Sequence, residues 1–384
     1  MYQRLLDLDK LVNKKSMFLF GPRSTGKTTL LRNLYPDTAI INLLKSETFL
    51  FLSANPGNLR NLVKEIQTSS SVIIVDEIQK IPELLNEVHD LIETTKHRFI
   101  LTGSSARKLR AGGVNLLGGR AWQAHLFPLT FKELTDFSLE RYLQIGGMPQ
   151  VWSSKDPIEE LDSYVELYLR EEIRAEGLVQ NLMDFSRFIR AVGLTNTEQL
   201  NYANISRDTG VPANTIRGWY ELLVDTFLGF YLEPWQESKK RKAVATPKWY
   251  FFDIGVAHFL TRNFQINPST SEYGKSFEHF IAMELRAWLS YNRIKQSLTY
   301  WRSTTGFEVD FLIGNKLAIE VKATTRVHSQ DLKGLKALQQ EQIFSQYILV
   351  SLDPLSRISD EGIRILPWEN FLNELWGGKL GVEI

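Results

Sequence analysis

The sequence predicts an α/β chain of several domains, with a phosphate-binding-loop core first and a second α/β unit last. Three observations predict it. A glycine-rich loop, Gly21-Pro22-Arg23-Ser24-Thr25-Gly26-Lys27-Thr28, lies between the apolar run Met17–Phe20 and a helix-like run from Thr29 to Leu34. A continuous apolar stretch, Ser71–Val75, ends in Asp76-Glu77. Near the C-terminal end, Glu308–Ile313 and Leu317–Lys322 read as two strands joined at a Gly314-Asn315 turn signal. At 384 residues the chain exceeds one ordinary core, so two or three domains are expected.

Composition narrows the function classes. The 45 basic and 44 acidic residues leave a net charge of +1, so no global field advertises nucleic acid. With no cysteine, disulfides, thiolate zinc sites and cysteine nucleophiles are excluded. Apolar runs fall far short of the ~20 residues of a membrane helix. The opening residues lack the apolar region of a signal peptide. A cytoplasmic protein without a membrane partner is the expectation.

Residues 2–12 have the spacing of a short amphipathic helix, with Leu5, Leu6, Leu8 and Leu11 apolar. Strand, glycine-rich loop and helix then follow in the order a phosphate-binding loop requires. Its backbone N–H groups converge on phosphate, and the helix N-terminus adds partial positive charge. Gly21, Pro22, Arg23, Ser24, Thr25, Gly26, Lys27, Thr28 and Thr29 are therefore the cofactor-binding candidates. Lys27 is placed to reach the β- and γ-phosphates, and Thr28 to hold Mg²⁺. A second strand is expected at Thr38–Leu43. The run ending in Asp76-Glu77 has the pattern of a buried parallel strand with acids at its ligand-collecting end. Asp76 is the metal candidate and Glu77 the general base that orients water. The strand Arg98–Ser105 ends in hydroxyls, of which Thr102 and Ser104 are candidate sensors of the γ-phosphate or the water. No guanine-reading Asn-Lys-x-Asp follows the loop, so ATP is the expected nucleotide.

These motifs, with Leu101-Thr102-Gly103-Ser104-Ser105-Ala106-Arg107, Gly118-Gly119-Arg120 and Phe127-Pro128-Leu129-Thr130-Phe131, resemble those of a family of prokaryotic AAA-type ATPases. The resemblance covers nearly the whole chain. It implies an AAA core over residues 1–135, a helical lid over 136–195 and, beyond a winged helix, a restriction-endonuclease-type domain over 247–384. It also makes Arg107 and Arg120 candidates for an arginine acting in cis or from a neighbour. The Gly146-Gly147 loop becomes a candidate neighbour of the nucleotide, and a homo-oligomer a candidate assembly.

A helix-like spacing runs from Ile158 to about Val192. Residues 196–246 read as a winged helix: a helix, a turn at Gly210, a second helix from near Pro212, and a hairpin around Lys239-Lys240-Arg241-Lys242. Asn214, Arg217 and the basic wing are candidates for DNA contact. A helix with a stripe of Phe277, Ile281, Leu285 and Trp288 carries Glu278 beside it. Asp310, Glu320 and Lys322 follow the D…ExK pattern of restriction-endonuclease-like nucleases, and Glu278 matches the acid of their first helix. In such a site Glu278, Asp310 and Glu320 hold Mg²⁺, while Lys322 activates water and stabilises charge on phosphorus. A shared site demands that Asp310 oppose Glu320, hence a three-residue connection or a bulge between the strands. Two readings of function result: an ATP-driven DNA-processing protein that cuts with the Asp310–Glu320–Lys322 set, or an ATP-dependent switch or scaffold whose nuclease-like domain binds a partner without cutting. A carboxylate set open to solvent favours the first, and a set plugged by side chains favours the second.

Overall fold

The computed structural model of the chain describes residues 2–66, 71–107, 109, 117–169, 179, 181–264 and 266–382. Strand β1 (Ser16–Phe20) is buried along its whole length, as a parallel strand covered on both faces must be. Its side chains alternate. Phe18 and Phe20 join one core with Ile73, Val75, Leu101 and the helix Leu84–Thr94. Met17 and Leu19 join another with Ile74, Ile100 and the helices Leu8–Val12 and Lys27–Leu34. With β2 (Ile40–Asn42), β3 (Val72–Asp76), β4 (Arg98–Gly103) and β5 (Ala121–His125) it forms an all-parallel sheet in the order β2-β3-β4-β1-β5. β4 therefore separates β1 from β3, with Thr102 beside Leu19 and Leu101 beside Val75. The ends of β3 and β4 meet the loop that leaves β1, where an open parallel sheet collects ligands.

The helix expected over residues 2–12 is confined to Leu8–Val12, capped by Asp7. Longer-range bonds draw out the residues before it. The Arg4 guanidinium donates to Thr25 O (2.9 Å), and the Leu5 amide donates to Glu133 Oε1 (2.7 Å). The single helix expected from Ile158 to Val192 is broken. Pro157–Ser163 runs into a π-helical turn, Tyr164–Leu169, and Leu182–Leu194 starts afresh where Asn181 accepts from the Met183 and Asp184 amides. Residues 170–178 and 180 of that expected helix lie outside the described residues.

Helices Tyr202–Thr209 and Ala213–Asp225 make the expected helix-turn-helix, turning at Gly210 (φ 74°). β6 (Gly229–Pro234) and β7 (Lys248–Phe251) follow as an antiparallel hairpin. That hairpin is the edge of a larger sheet, because β6 also pairs with β8 (Leu298–Arg302). The remaining strands are β9 (Glu308–Ile313), β10 (Leu317–Lys322), β11 (Gln346–Ser351), β12 (Arg357–Ile358) and β13 (Arg364–Pro367). The mixed sheet runs β12-β13-β11-β10-β9-β8-β6-β7. The basic loop between β6 and β7 is folded onto the C-terminal segment. Glu341 accepts from the Ser238 hydroxyl (2.7 Å) and the Lys239 amide (2.9 Å), while Arg241 donates to Ala337 O (3.0 Å) and Gln340 Oε1 (2.7 Å). Part of the charge expected on a free wing is thus spent within the chain, although Lys239, Lys240 and Lys242 stay exposed.

One core joins the middle and C-terminal segments, with Tyr142, Trp152, Tyr220, Trp249, Phe280 and Phe371 all within it. The helix Ser271–Tyr291 is buried through most of its length. Among the described residues no helix is long and apolar enough to cross a membrane.

Glu284 on that helix accepts from the Phe131 amide through Oε1 (2.7 Å) and from Trp376 Nε1 through Oε2 (2.7 Å). Burial raises its carboxyl from 4.5 to about 8, against the pull of these two donors. The folded chain therefore binds this proton more tightly than the unfolded chain. The stabilising share is full below 4.5 and is lost as pH rises through about 8. The melting midpoint of the wild type is expected to fall more steeply between pH 5 and 8 than that of Glu284→Gln. Equal slopes would remove Glu284 as the cause.

Candidate nucleotide site and a buried acid cluster

The loop after β1 takes its shape from its glycines. A side chain at Gly21 would put its Cβ 2.4 Å from Leu126 O, and Gly26 has φ 92°. The Thr25 hydroxyl ties the loop together by donating to Pro22 O (2.8 Å). Lys27 is buried and its ammonium donates to Gly21 O (2.7 Å) and Pro22 O (2.9 Å). Thr29 is exposed on the first turn of the helix. A phosphate group fits this cradle, with backbone N–H groups, a helix N-terminus and an ammonium at one place.

The acids at the end of β3 meet it. The Thr28 hydroxyl donates to both Asp76 oxygens (3.0 and 3.2 Å). These two groups have the oxygen donors Mg²⁺ prefers, and a bound ion would neutralise phosphate charge there. The Thr102 hydroxyl donates to Asp76 Oδ1 and accepts from the Glu77 amide (3.0 Å). Ser104 donates to Glu77 Oε2 (3.3 Å). Both hydroxyls therefore touch the acid pair beside the loop. Glu77 itself lies in the left-handed region (φ 64°), a conformation costing a non-glycine residue about 1 kcal/mol or more. Gln79 helps to hold it there, donating to Glu77 Oε2 and to Ser104 Oγ (3.0 Å). Sequence reasoning passed over Gln79; its short distance from the acid pair was the available signal. Of the two candidate arginines, Arg120 forms an ion pair with Glu93 at the surface, while Arg107 follows the end of β4 by four residues, its amide donating to Ser105 Oγ (3.3 Å).

The second cluster lies on the mixed sheet. β9 returns to β10 through the three residues Gly314–Lys316, with Ile313 opposite Leu317 and Phe311 opposite Ile319. That register carries Asp310 to Glu320, and Asp310 Oδ2 accepts from the Val321 amide (2.8 Å). Lys322 pairs with Glu320 Oε1. Glu278 comes up from the helix Ser271–Tyr291 and accepts from the Tyr250 hydroxyl. Among these acids stands a cation the sequence did not disclose. Lys248 Nζ lies 3.0 Å from Glu278 Oε1, 2.7 Å from Glu308 Oε1 and 3.8 Å from Asp310 Oδ1. Its side chain is only 5% exposed. Burial acts to deprotonate it, but Glu278, Asp310 and Glu308 outweigh burial and hold the ammonium well above its ordinary range. Burial raises the Glu278 carboxyl, against the opposing charge of Lys248. It also raises Glu320, and Asp310 adds to that rise. Among the described residues no three histidine or carboxylate groups converge to hold a metal ion.

Residues 13–135 match a family model described as an AAA domain. Residues 136–267 and 273–371 match two models described as domains of unknown function, DUF8612 and DUF4143. Relatives include an uncharacterized protein of Haemophilus influenzae, 24% identical over an alignment of 298 positions that covers 69% of this chain and 72% of the relative. Another, from Methanocaldococcus jannaschii, is 22% identical over 94% of this chain and 85% of its own. Among solved structures, a signal-transduction ATPase with a tetratricopeptide-repeat sensor from Pyrococcus horikoshii aligns with 75% of this chain but 46% of its own, at 18% identity and a TM-score of 0.27. Can2 from Sulfobacillus thermosulfidooxidans, in complex with cyclic tetra-adenylate, aligns with 95% of this chain and 99% of its own, at 11% identity and a TM-score of 0.23. The chain carries at its N-terminal end an AAA-type P-loop ATPase domain, followed by two domains without an assigned function.

Proposed function

We propose that this protein is an ATP-hydrolysing switch whose C-terminal domain keeps its acid cluster closed and does not cut DNA. The observation that carries this reading is the Lys248 ammonium among Glu278, Glu308 and Asp310. A protonated amine at that place offsets part of the carboxylate charge and fills the position that a catalytic divalent cation would need. Glu77 serves as the base that orients water, and Lys27 and the loop amides bind the phosphates.

The nuclease reading keeps one observation of its own, the register that carries Asp310 to Glu320 with Lys322 on the same face. Asn214 and Arg217, exposed on the second helix of the helix-turn-helix, are the candidate DNA face. The discriminating experiment offers linear, branched and single-stranded DNA with Mg²⁺ or Mn²⁺, with and without ATP. ATP turnover without cleavage is the expected result. Cleavage that disappears in Lys322→Ala would overturn the switch in favour of the nuclease.

A further inference from the structure

Arg4 reaches the phosphate loop from outside it. The chain gives up the helix that spacing favours before Leu8, and Glu133 organises the segment instead. Glu133 Oε1 accepts from the Leu5 amide (2.7 Å), and Oε2 accepts from the Thr130 amide (3.0 Å). Arg4 Nε forms an ion pair with the same Oε1 (3.1 Å), the arginine side chain being 5% and the glutamate side chain 0% exposed. The rest of the guanidinium is spread over three acceptors. Nη2 donates to Phe127 O (2.5 Å) and to the Tyr291 hydroxyl (3.1 Å), and Nη1 donates to Thr25 O (2.9 Å). A planar fork of fixed donors serves such a spread, and a lysine ammonium does not. Thr25 O belongs to the peptide that joins Thr25 to Gly26. A trans peptide is planar, with its N–H directed opposite to its C=O. Arg4 draws the carbonyl toward Phe127 and Tyr291, so the Gly26 N–H is turned to the other side. Among the described residues that N–H has no acceptor. Gly26 is the N-cap of the helix Lys27–Leu34, so this donor lies where a helix N-terminus and the Lys27 ammonium already favour an anion.

Resting on the ATP-hydrolysing reading above, we infer that Arg4 is a positioning residue for the nucleotide: it holds the Thr25–Gly26 peptide so that the Gly26 amide donates to phosphate. The hold is braced by the segment after β5, through Phe127 O, and by the helix Ser271–Tyr291, through its last residue. The test uses the full-length chain. Arg4→Lys keeps a cation beside Glu133 but cannot span the other acceptors. Equilibrium binding of a non-hydrolysable ATP analogue is expected to weaken about tenfold, the worth of one hydrogen bond to a charged group. KM for ATP should rise by a similar factor with kcat held within about twofold, because the amide grips phosphate alike before and during the reaction. A role in folding alone would leave KM and analogue affinity unchanged and lower the apparent kcat through loss of folded protein; that outcome overturns the assignment. Tyr291→Phe is the second variant, and it decides where Arg4→Lys does not fold. It frees one end of the guanidinium edge that holds Thr25 O, and should weaken analogue binding about threefold, as the loss of one neutral hydrogen bond does. Wild-type affinity in the deciding variant overturns the assignment, and ATP turnover in that same preparation leaves the ATP-hydrolysing reading standing. Wild type that binds the analogue but releases no phosphate from ATP sinks that reading alone, and the binding series then decides Arg4. Wild type that binds no analogue sinks both.

Discussion

Glu77→Gln is expected to lower kcat for ATP hydrolysis by about 10²- to 10⁴-fold, the usual worth of a positioned general base, while ATP still binds. The amide is isosteric with the carboxylate and can keep the contacts of Glu77 with Gln79 and Ser104. It cannot take a proton from water. Binding survives because Thr28 and Asp76 hold each other independently of the Glu77 side chain. Lys27→Ala is expected to differ in kind. Its ammonium rests on Gly21 O and Pro22 O and is the loop's own cation. Its loss should weaken nucleotide binding and abolish turnover together. Phosphate release and equilibrium nucleotide binding, measured on both variants, separate the two effects. Normal turnover in both would remove the ATPase reading.

The nucleotide site was legible because its chemistry is contiguous. The loop residues are neighbours in sequence, and the acid pair closes an apolar run whose partners a parallel sheet dictates. The hairpin register was legible for a different reason. A shared site for Asp310 and Glu320 permits few connections, and the three-residue return satisfies it. Lys248 was illegible because its role exists only after folding. In sequence it begins a strand and lies 30 residues before Glu278. Only the pairing of β6 with β8 carries its strand to the edge of the C-terminal sheet. The same cause hid the fate of the basic loop, whose Arg241 finds its acceptors roughly a hundred positions away on the helix Lys333–Gln339 and the residue after it. Helical spacing likewise misjudged residues 2–7, where Arg4 and Leu5 reach Thr25 and Glu133 at the expense of a local helix.

Lys248→Met should be among the most destabilising single substitutions in the chain, at about 3–5 kcal/mol near pH 8, because it breaks a buried ion cluster from one side. Methionine fills the space of the lysine stem but leaves Glu278, Glu308 and Asp310 without the cation that offsets their burial. The loss should shrink toward pH 5. Lys248 has a raised folded pKa, so its own contribution is complete below 10.5 and is lost only as pH climbs beyond that. The pH dependence between 5 and 8 therefore comes from the carboxylates. Burial already raises Glu278 and Glu320 in the wild type, and removing the ammonium raises Glu278 further. A carboxyl raised on folding is tolerated while protonated and costs stability as pH rises through its folded pKa. Urea midpoints at pH 5 and pH 8 measure the difference, and adding Glu278→Gln to Lys248→Met should recover part of the loss at pH 8. A loss within about 0.5 kcal/mol at both pH values, the size expected of an uninvolved surface substitution, would mean that solvent already screens these acids and that Lys248 is not what holds the cluster closed.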